Sequence, residues 1–303
     1  MQPPIDASAS GPWPDPPCRL PARQRQAHKG SFGRALIIGG SRGMSGAVAL
    51  AGMASVSGGA GLTTLAVPDR ILDTVAGFCP AYMLHGLADD ADGAISEQAI
   101  RQVIELSSGV TAFGLGPGLG TGAQVRQVAA QLYVDLSVVG VVDADGLNAL
   151  GQLSLKAWAR PAAARILTPH PGEFERLSGV SARHRPEQIT AAQRLADRQQ
   201  VVVVLKGAQT VVTRPGGESW VNPTGTPALA TGGSGDVLTG LITALLCQGL
   251  EPWEAACLGV YVHGLAGDLG QSDQGGPVLP PQRLIEWLPA ALQRVIEPQR
   301  VQR

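Results

Sequence analysis

The sequence predicts an α/β domain, a three-layer α/β/α arrangement in which a mostly parallel central sheet is covered by helices on both faces. Three observations carry this expectation. Short apolar runs rich in Val, Ile and Leu recur without a polar face, as strands buried on both sides require. Segments of helical pattern separate them, giving the βαβα order of parallel sheets. The 40 glycines gather in clusters just after several of these runs, where open α/β sheets bind their ligands.

Taken in order, residues 1–28 form a proline-rich stretch (Pro3, Pro4, Pro12, Pro14, Pro16, Pro17 and Pro21) without apolar periodicity. Proline fixes φ and removes an N–H donor, so this is an irregular arm, lying over the body or over a neighbouring subunit. Strands are expected at Ala35–Ile38, Thr63–Val67, Val110–Leu115, Val138–Asp143, Arg165–Thr168 and Val201–Leu205, with helices between them that include Gly46–Ser57, Ala123–Tyr133 and Pro186–Arg198. After Lys206 a β-rich passage, Thr210–Thr213 and Ser219–Val221, leads into three helical stretches near Asp236–Gln248, Pro252–Leu269 and Pro280–Val295, the middle one open to a kink. Neither a repeat nor a second composition regime interrupts residues 29–303, which are expected to form a single domain.

Composition narrows the function classes. Hydrophobic residues make up 44% and charged residues 16%, a globular balance. A formal charge of −1 supplies no basic field, which argues against nucleic acid as a partner and requires any phosphate site to be built locally. Cys18, Cys79, Cys247 and Cys257 are scattered without a C-x-x-C pair, so neither a zinc site nor a redox pair is expected. No apolar run approaches the roughly 18 residues of a membrane span, and no basic-then-apolar leader opens the chain. A cytoplasmic protein is the expectation.

Three glycine clusters and three polar strand ends are the candidates for chemistry. The loop Gly39–Gly46 either exposes N–H groups to an anion or simply turns tightly, and the small residues of the following helix, Gly52 among them, allow close packing or leave room for a ligand. In Gly114–Gly120 the alternation of glycines around Pro117 suits a rigid turn near a ligand, with turn geometry alone as the plainer reading. The third, Ala230–Leu238, contains Gly232, Gly233, Ser234, Gly235 and Asp236 at the start of an apolar helix. Successive N–H groups there make an anion hole reinforced by the helix dipole. Asp236 could be a helix cap, but a cap does not need four Gly or Ser neighbours. A carboxylate beside an anion hole can take the proton of a hydroxyl attacking a phosphoryl group, and this reading is preferred.

Among the strand ends, Asp143 and Asp145 could cap the next helix, bind magnesium through water or orient a phosphate-bound metal; no dedicated metal cage is visible. His170, clamped between Pro169 and Pro171, is presented by a stiff loop and is a candidate substrate contact. Lys206 is one of only three lysines against twenty arginines, and a compact ammonium kept at a strand end suits a phosphate.

The segments KGSFGRALIIGGSRGMSGA, GLGPGLG, VVDADGLNAL, LTPHPGEFERL, VVVVLKGAQTVV and ATGGSGDVLTG together resemble the NAD(P)H-hydrate dehydratase family of the ribokinase-like superfamily, over about residues 29–295. The Thr-Pro-His-Pro-Gly-Glu segment is the discriminating one. The resemblance implies a ribokinase-like fold and a hydro-lyase that repairs a damaged cofactor. ADP or ATP would phosphorylate the C6 hydroxyl of the S epimer of NAD(P)H hydrate, and elimination of phosphate would regenerate NADH or NADPH, releasing AMP or ADP.

It also implies roles residue by residue. Asp236 would be the base, with Gly233, Ser234 and Gly235 as the anion hole. Gly118, His170 and Asp236 would touch the hydrated cofactor, as would Gly52. Lys206, Gly207, Ala208, Gln209, Thr210 and Gly235 would line the adenine nucleotide, with Mg2+ as its companion. A homo-oligomer is implied, a tetramer being one option. Two departures stand out: only the proline-rich residues precede the dehydratase motifs, so epimerase activity is not expected, and Met44 replaces a common aromatic in the first glycine loop. A small-alcohol kinase on the same fold and a non-catalytic nucleotide sensor are the alternative functions.

Overall fold

The computed structural model describes residues 13–153 and 158–297; residues 1–12 of the arm, with Pro3, Pro4 and Pro12, lie outside the described residues. Among the described residues, nine strands form one sheet in the order β3-β2-β1-β4-β5-β6-β7-β8-β9. They are β1 (Arg34–Ile38), β2 (Leu62–Pro68), β3 (Met83–Leu87), β4 (Ala112–Leu115), β5 (Val139–Val142), β6 (Arg165–Leu167), β7 (Val202–Leu205), β8 (Val211–Thr213) and β9 (Ser219–Val221). Strands β1 to β7 pair in parallel, and β8 and β9 close the sheet antiparallel. The α-helices are α1 (Ser45–Ser57), α2 (Leu72–Ala76), α3 (Ala99–Ser107), α4 (Ala123–Asp135), α5 (Ala144–Gly151), α6 (Pro171–Ser178), α7 (Arg185–Gln199), α8 (Ser234–Cys247), α9 (Pro252–Gln274) and α10 (Pro281–Gln293). This is the mostly parallel, three-layer arrangement expected from the sequence.

Each strand divides its side chains between two cores, because successive residues point to opposite faces. Val202 and Val204 pack with α8, α9 and α10, whereas Val203 and Leu205 pack with the layer containing α4, α5 and α7. Ile37 joins α1 in a third cluster with Leu65, Val67 and Val75. Helix α8 is apolar almost all round and is buried from Val237 to Cys247, as a helix enclosed by sheet and helices must be. It meets α1 backbone to backbone: a Cβ on Gly240 would fall 1.9 Å from the Ala51 carbonyl oxygen. The small residues of α1 therefore serve packing.

The register aligns the strand ends. Ile38 pairs with Leu115, Leu115 with Val142, Val142 with Leu167, and Leu167 with Val203. The segments beginning at Gly39, Gly116, Asp143 and Thr168 consequently leave the sheet side by side. The described part of the arm lies over α9 and α10: the Leu20 N–H donates to the Val295 carbonyl (2.9 Å), and the Tyr261 hydroxyl donates to the Pro14 carbonyl (2.6 Å). Among the described residues, no helix is long and apolar enough to cross a membrane.

Candidate active site

The carboxyl edge of β5 ends in Asp143, whose side chain is 1% exposed. It stands at the N-cap position of α5 but makes no cap hydrogen bond. Instead Oδ1 accepts from the Lys206 ammonium at 2.7 Å, and Oδ2 accepts from the Thr239 hydroxyl at 2.7 Å. Asp145 is equally occupied elsewhere, accepting from the Gly120 N–H (2.8 Å) and from Asn148 Nδ2 (3.0 Å). Neither aspartate caps a helix through its side chain: one holds a cation, and the other ties the second glycine loop to α5.

Lys206 follows β7 and is the hub. Besides Asp143 it lies 3.8 Å from Glu173 Oε2, and a Cβ on Gly235 would stand 3.2 Å from its Nζ. Burial works against its charge, but Asp143, Glu173 and Asp236 outweigh burial and hold the ammonium above the usual lysine value. Glu173, which gives no signal of its own in the sequence, accepts from the His170 N–H at 2.8 Å. Burial is the main cause that pushes its carboxyl up to about 7, with Asp143 adding to it and Lys206 opposing.

Asp236 is the third residue of α8, which begins from Gly233 at the N-cap, so it is not the cap itself. Burial first, then the negative charge of Asp143, pushes it up to about 7, with Lys206 pulling the other way. Three carboxylates thus crowd one ammonium at the start of a helix whose dipole favours an anion. Ser234 is anchored from α9 by His263, whose Nε2 lies 2.9 Å from the Ser234 carbonyl oxygen and 3.3 Å from its Oγ. His263 was not singled out in the sequence, where it reads as one more residue of an apolar helix.

His170 caps α6: its Nδ1 accepts from the N–H groups of Gly172 (3.1 Å) and Glu173 (3.3 Å). With Nδ1 accepting, the neutral ring carries its proton on Nε2, which lies 3.3 Å from Glu173 Oε1. The side chain remains 49% exposed, so capping and presentation coexist. Burial, Lys206 and Arg176 all lower its pKa.

The two other glycine loops stack on each other. The Ser41 hydroxyl donates to the Gly118 carbonyl (2.8 Å), and the Gly40 N–H donates to the Pro117 carbonyl (2.8 Å). Gly118 has φ 65°, and a Cβ there would stand 2.6 Å from the Met44 carbonyl oxygen and 3.0 Å from the Ala47 Cβ, so only glycine fits. Gly52 does not join this group. A Cβ on it would press on Leu65 Cδ2 at 2.6 Å, within the apolar contact between α1 and β2. Ala47, not Gly52, is the α1 residue beside Gly118.

The whole of this arrangement falls inside a match to the family model described as NAD(P)H-hydrate dehydratase, which spans residues 35–290. The chain belongs to the NAD(P)H-hydrate dehydratase family. It is 34% identical over 279 residues to the ADP-dependent (S)-NAD(P)H-hydrate dehydratase of Bacillus subtilis, covering 91% of this chain and 94% of that one. It is 40% identical over 283 residues to the bifunctional NAD(P)H-hydrate repair enzyme Nnr of Moorella thermoacetica, covering 92% of this chain. The chain spans about half the length of such bifunctional relatives, 53% in that case. Its fold is the ribokinase-like one of this family. The crystal structure of the ADP/ATP-dependent NAD(P)H-hydrate dehydratase from B. subtilis, co-crystallized with ATP/Mg2+, superposes with a TM-score of 0.79 at 31% identity, covering 91% of this chain and 95% of that one.

Proposed function

We propose that this member of the dehydratase family is a hydro-lyase that dehydrates the S epimer of NAD(P)H hydrate at the expense of ADP or ATP, a metabolite-repair reaction. The observation that carries the proposal is the meeting of Asp236, Lys206 and Asp143 at the start of α8, beside the Gly233–Gly235 turn.

In this reading the N–H groups of the Gly233–Gly235 turn receive the transferred phosphoryl group, and the helix dipole supports its charge. Asp236 takes the proton of the C6 hydroxyl as that oxygen attacks the terminal phosphorus of the nucleotide. The bond from phosphorus to the bridging oxygen breaks, and AMP or ADP leaves. Hydroxide is a poor leaving group; phosphate is a good one. The C6–O bond then breaks with the electron pair going to phosphate, a proton leaves the adjacent ring carbon, and the nicotinamide double bond is restored. Positioning and electrostatics suffice, without a covalent nucleophile. Gly118 and His170 would border the hydrated ring, and Lys206 to Thr210, with Gly235, the nucleotide phosphates.

Among the described residues, no group of three or more His, Cys, Asp or Glu side chains is arranged to hold a metal ion. The donor set nevertheless fits Mg2+ arriving with the nucleotide: hard carboxylate oxygens outnumber the single ammonium, and Glu173 is held up to about 7 by burial. Glu173 and Asp143 would hold it through water. When bound, Mg2+ neutralises charge on the phosphoryl oxygens. Cytoplasmic location and a homo-oligomeric assembly belong to the same proposal.

Incubating the protein with NADH hydrate, Mg2+ and ADP or ATP tests it. Return of the nicotinamide absorbance with release of AMP or ADP is expected. A stable phosphoester would indicate a kinase instead, and nucleotide binding without turnover a sensor; either result overturns the proposal.

A further inference from the structure

The turn after β7 is held in an unfavourable shape. Gly207 has φ 140°, and Gln209, which has a side chain, has φ 55°. The left-handed region is disfavoured for such a residue, and a contact from outside the turn holds it there. Arg185, the first residue of α7, makes that contact. Its Nη1 donates to the Lys206 carbonyl (2.9 Å), and its Nη2 donates to the carbonyls of Leu205 (2.9 Å) and Gln209 (3.4 Å). The guanidinium lies close against the turn: a Cβ on Gly207 would stand 3.5 Å from its Cζ and both terminal nitrogens.

The geometry has a directional consequence. A trans peptide is planar, so its C=O and N–H point in opposite directions. With the carbonyls of Leu205 and Lys206 drawn to Arg185, the N–H groups of Lys206 and Gly207 face away from it. The Lys206 N–H meets the Pro169 carbonyl at 2.9 Å, fastening the turn to the His170 loop. The Gly207 N–H has no partner among the described residues.

We infer that Arg185 is a positioning residue for the phosphoryl donor: it grips the Leu205–Gln209 turn from behind and aims the Gly207 N–H, beside the Lys206 ammonium, at the nucleotide's phosphates. This rests on the nucleotide reading above. Lysine cannot substitute, because a single ammonium does not span carbonyls that the planar fork bridges. A turn that keeps its competent shape about one-tenth of the time without the fork binds its ligand about tenfold more weakly.

The test is calorimetric titration of the full chain with Mg-ADP, for wild type, Arg185→Met and Arg185→Lys, paired with steady-state kinetics and circular dichroism to verify folding. Arg185→Met is expected to weaken Mg-ADP about tenfold and raise KM for ADP alike. The KM for NADH hydrate should stay within about twofold, and millimolar methylguanidinium should restore much of the lost affinity. Arg185→Lys should recover little, and it carries the test if the Met variant does not fold. Wild-type affinity in either folded variant, or an equal rise in both KM values, overturns the inference. A wild-type protein that binds neither Mg-ADP nor Mg-ATP overturns the nucleotide reading itself, a separate and distinguishable result.

Discussion

Two cations among the described residues, the buried Arg165 and the largely enclosed Lys206, are compensated in opposite ways. Arg165, at the start of β6, is 0% exposed and meets no carboxylate among the described residues. Its guanidinium donates to the carbonyls of Tyr133, Leu136, Val138, Ala163 and Ala164, and it stacks over Phe113, with Cζ 4.9 Å from the ring centroid. Burial lowers its pKa to about 10, so it stays charged, satisfied by dipoles and rings. Lys206 is instead outnumbered by Asp143, Glu173 and Asp236, two of which burial holds near 7. A cation whose three guanidinium nitrogens all donate to main-chain carbonyls is a fastening, here of the α4–β5 connection to β6. An imbalance of negative charge has no such structural use; in the proposed function it is offset when a cation-bearing phosphoryl donor binds. Charge surplus, not burial, separates the candidate site from the frame.

The largest effect that would sharpen this contrast is at Asp236. Asp236→Asn should lower kcat/KM for NADH hydrate by about 10³-fold, within the usual range for losing a general base. The same change should stabilise the fold at pH 8. Asp236 has a folded pKa of about 7, above the ordinary aspartate value of 3.8, so between these values the folded state binds more protons than the unfolded one. Stability therefore falls as pH rises through that window, and the full penalty stands above it. Removing the charge should raise Tm by a few degrees in thermal denaturation at pH 8, with no gain at pH 4. A variant that is both inactive and less stable at pH 8 would contradict the charge surplus.

Arg165→Met is the converse experiment. It strands five carbonyls, and the expected loss is about 3–5 kcal/mol of unfolding free energy by denaturant titration. Specific activity of the folded fraction should stay within about twofold of wild type. If turnover collapsed with stability intact, the division into frame and site would be mistaken.

A smaller effect concerns pH. With Asp236 and Glu173 both pushed up to about 7, the base must be ionised before it can accept a proton. The rate kcat/KM should climb as pH rises through about 7 and level off above it. At the acid side it should drop about tenfold per unit, or more steeply if both carboxyls must ionise. A profile flat from pH 5 to 8 would remove Asp236 as the base.

The frame was more legible in the sequence than the site's inner support, for a physical reason. Parallel strands covered on both faces must be apolar throughout, so β1, β2, β4, β5, β6 and β7 announce themselves locally. Strand β3 does not: Met-Leu-His-Gly-Leu is an edge strand, half-exposed over most of its length and without a β-branched residue. His170, Lys206 and Asp236 stood out because polar residues at strand ends and after glycines break a pattern. Gly52 was ambiguous, because a small residue in a helix reads the same whether it faces a ligand or, as here, Leu65. Thr239, Arg185 and His263 gave no signal. Their partners lie far along the chain, 96 residues away for the Thr239–Asp143 hydrogen bond, and only the folded chain brings them together.

The smallest effect tests whether that inner support tunes the site. His263 is held neutral by burial, its pKa drawn down to about 4, with Lys206 acting in the same direction. A neutral ring that bears its proton on Nε2 donates to the Ser234 carbonyl, 2.9 Å away, and so pins the first residue of α8. Glutamine can place an amide N–H where Nε2 stands, whereas leucine fills the space without a donor. His263→Gln should keep kcat within about twofold, while His263→Leu should lower it about fivefold, near the 1 kcal/mol of one hydrogen bond. Because the donor acts on the proposed anion hole, the loss should fall on kcat more than on the KM for NADH hydrate. Equal losses in both variants would mean that His263 matters for its shape alone.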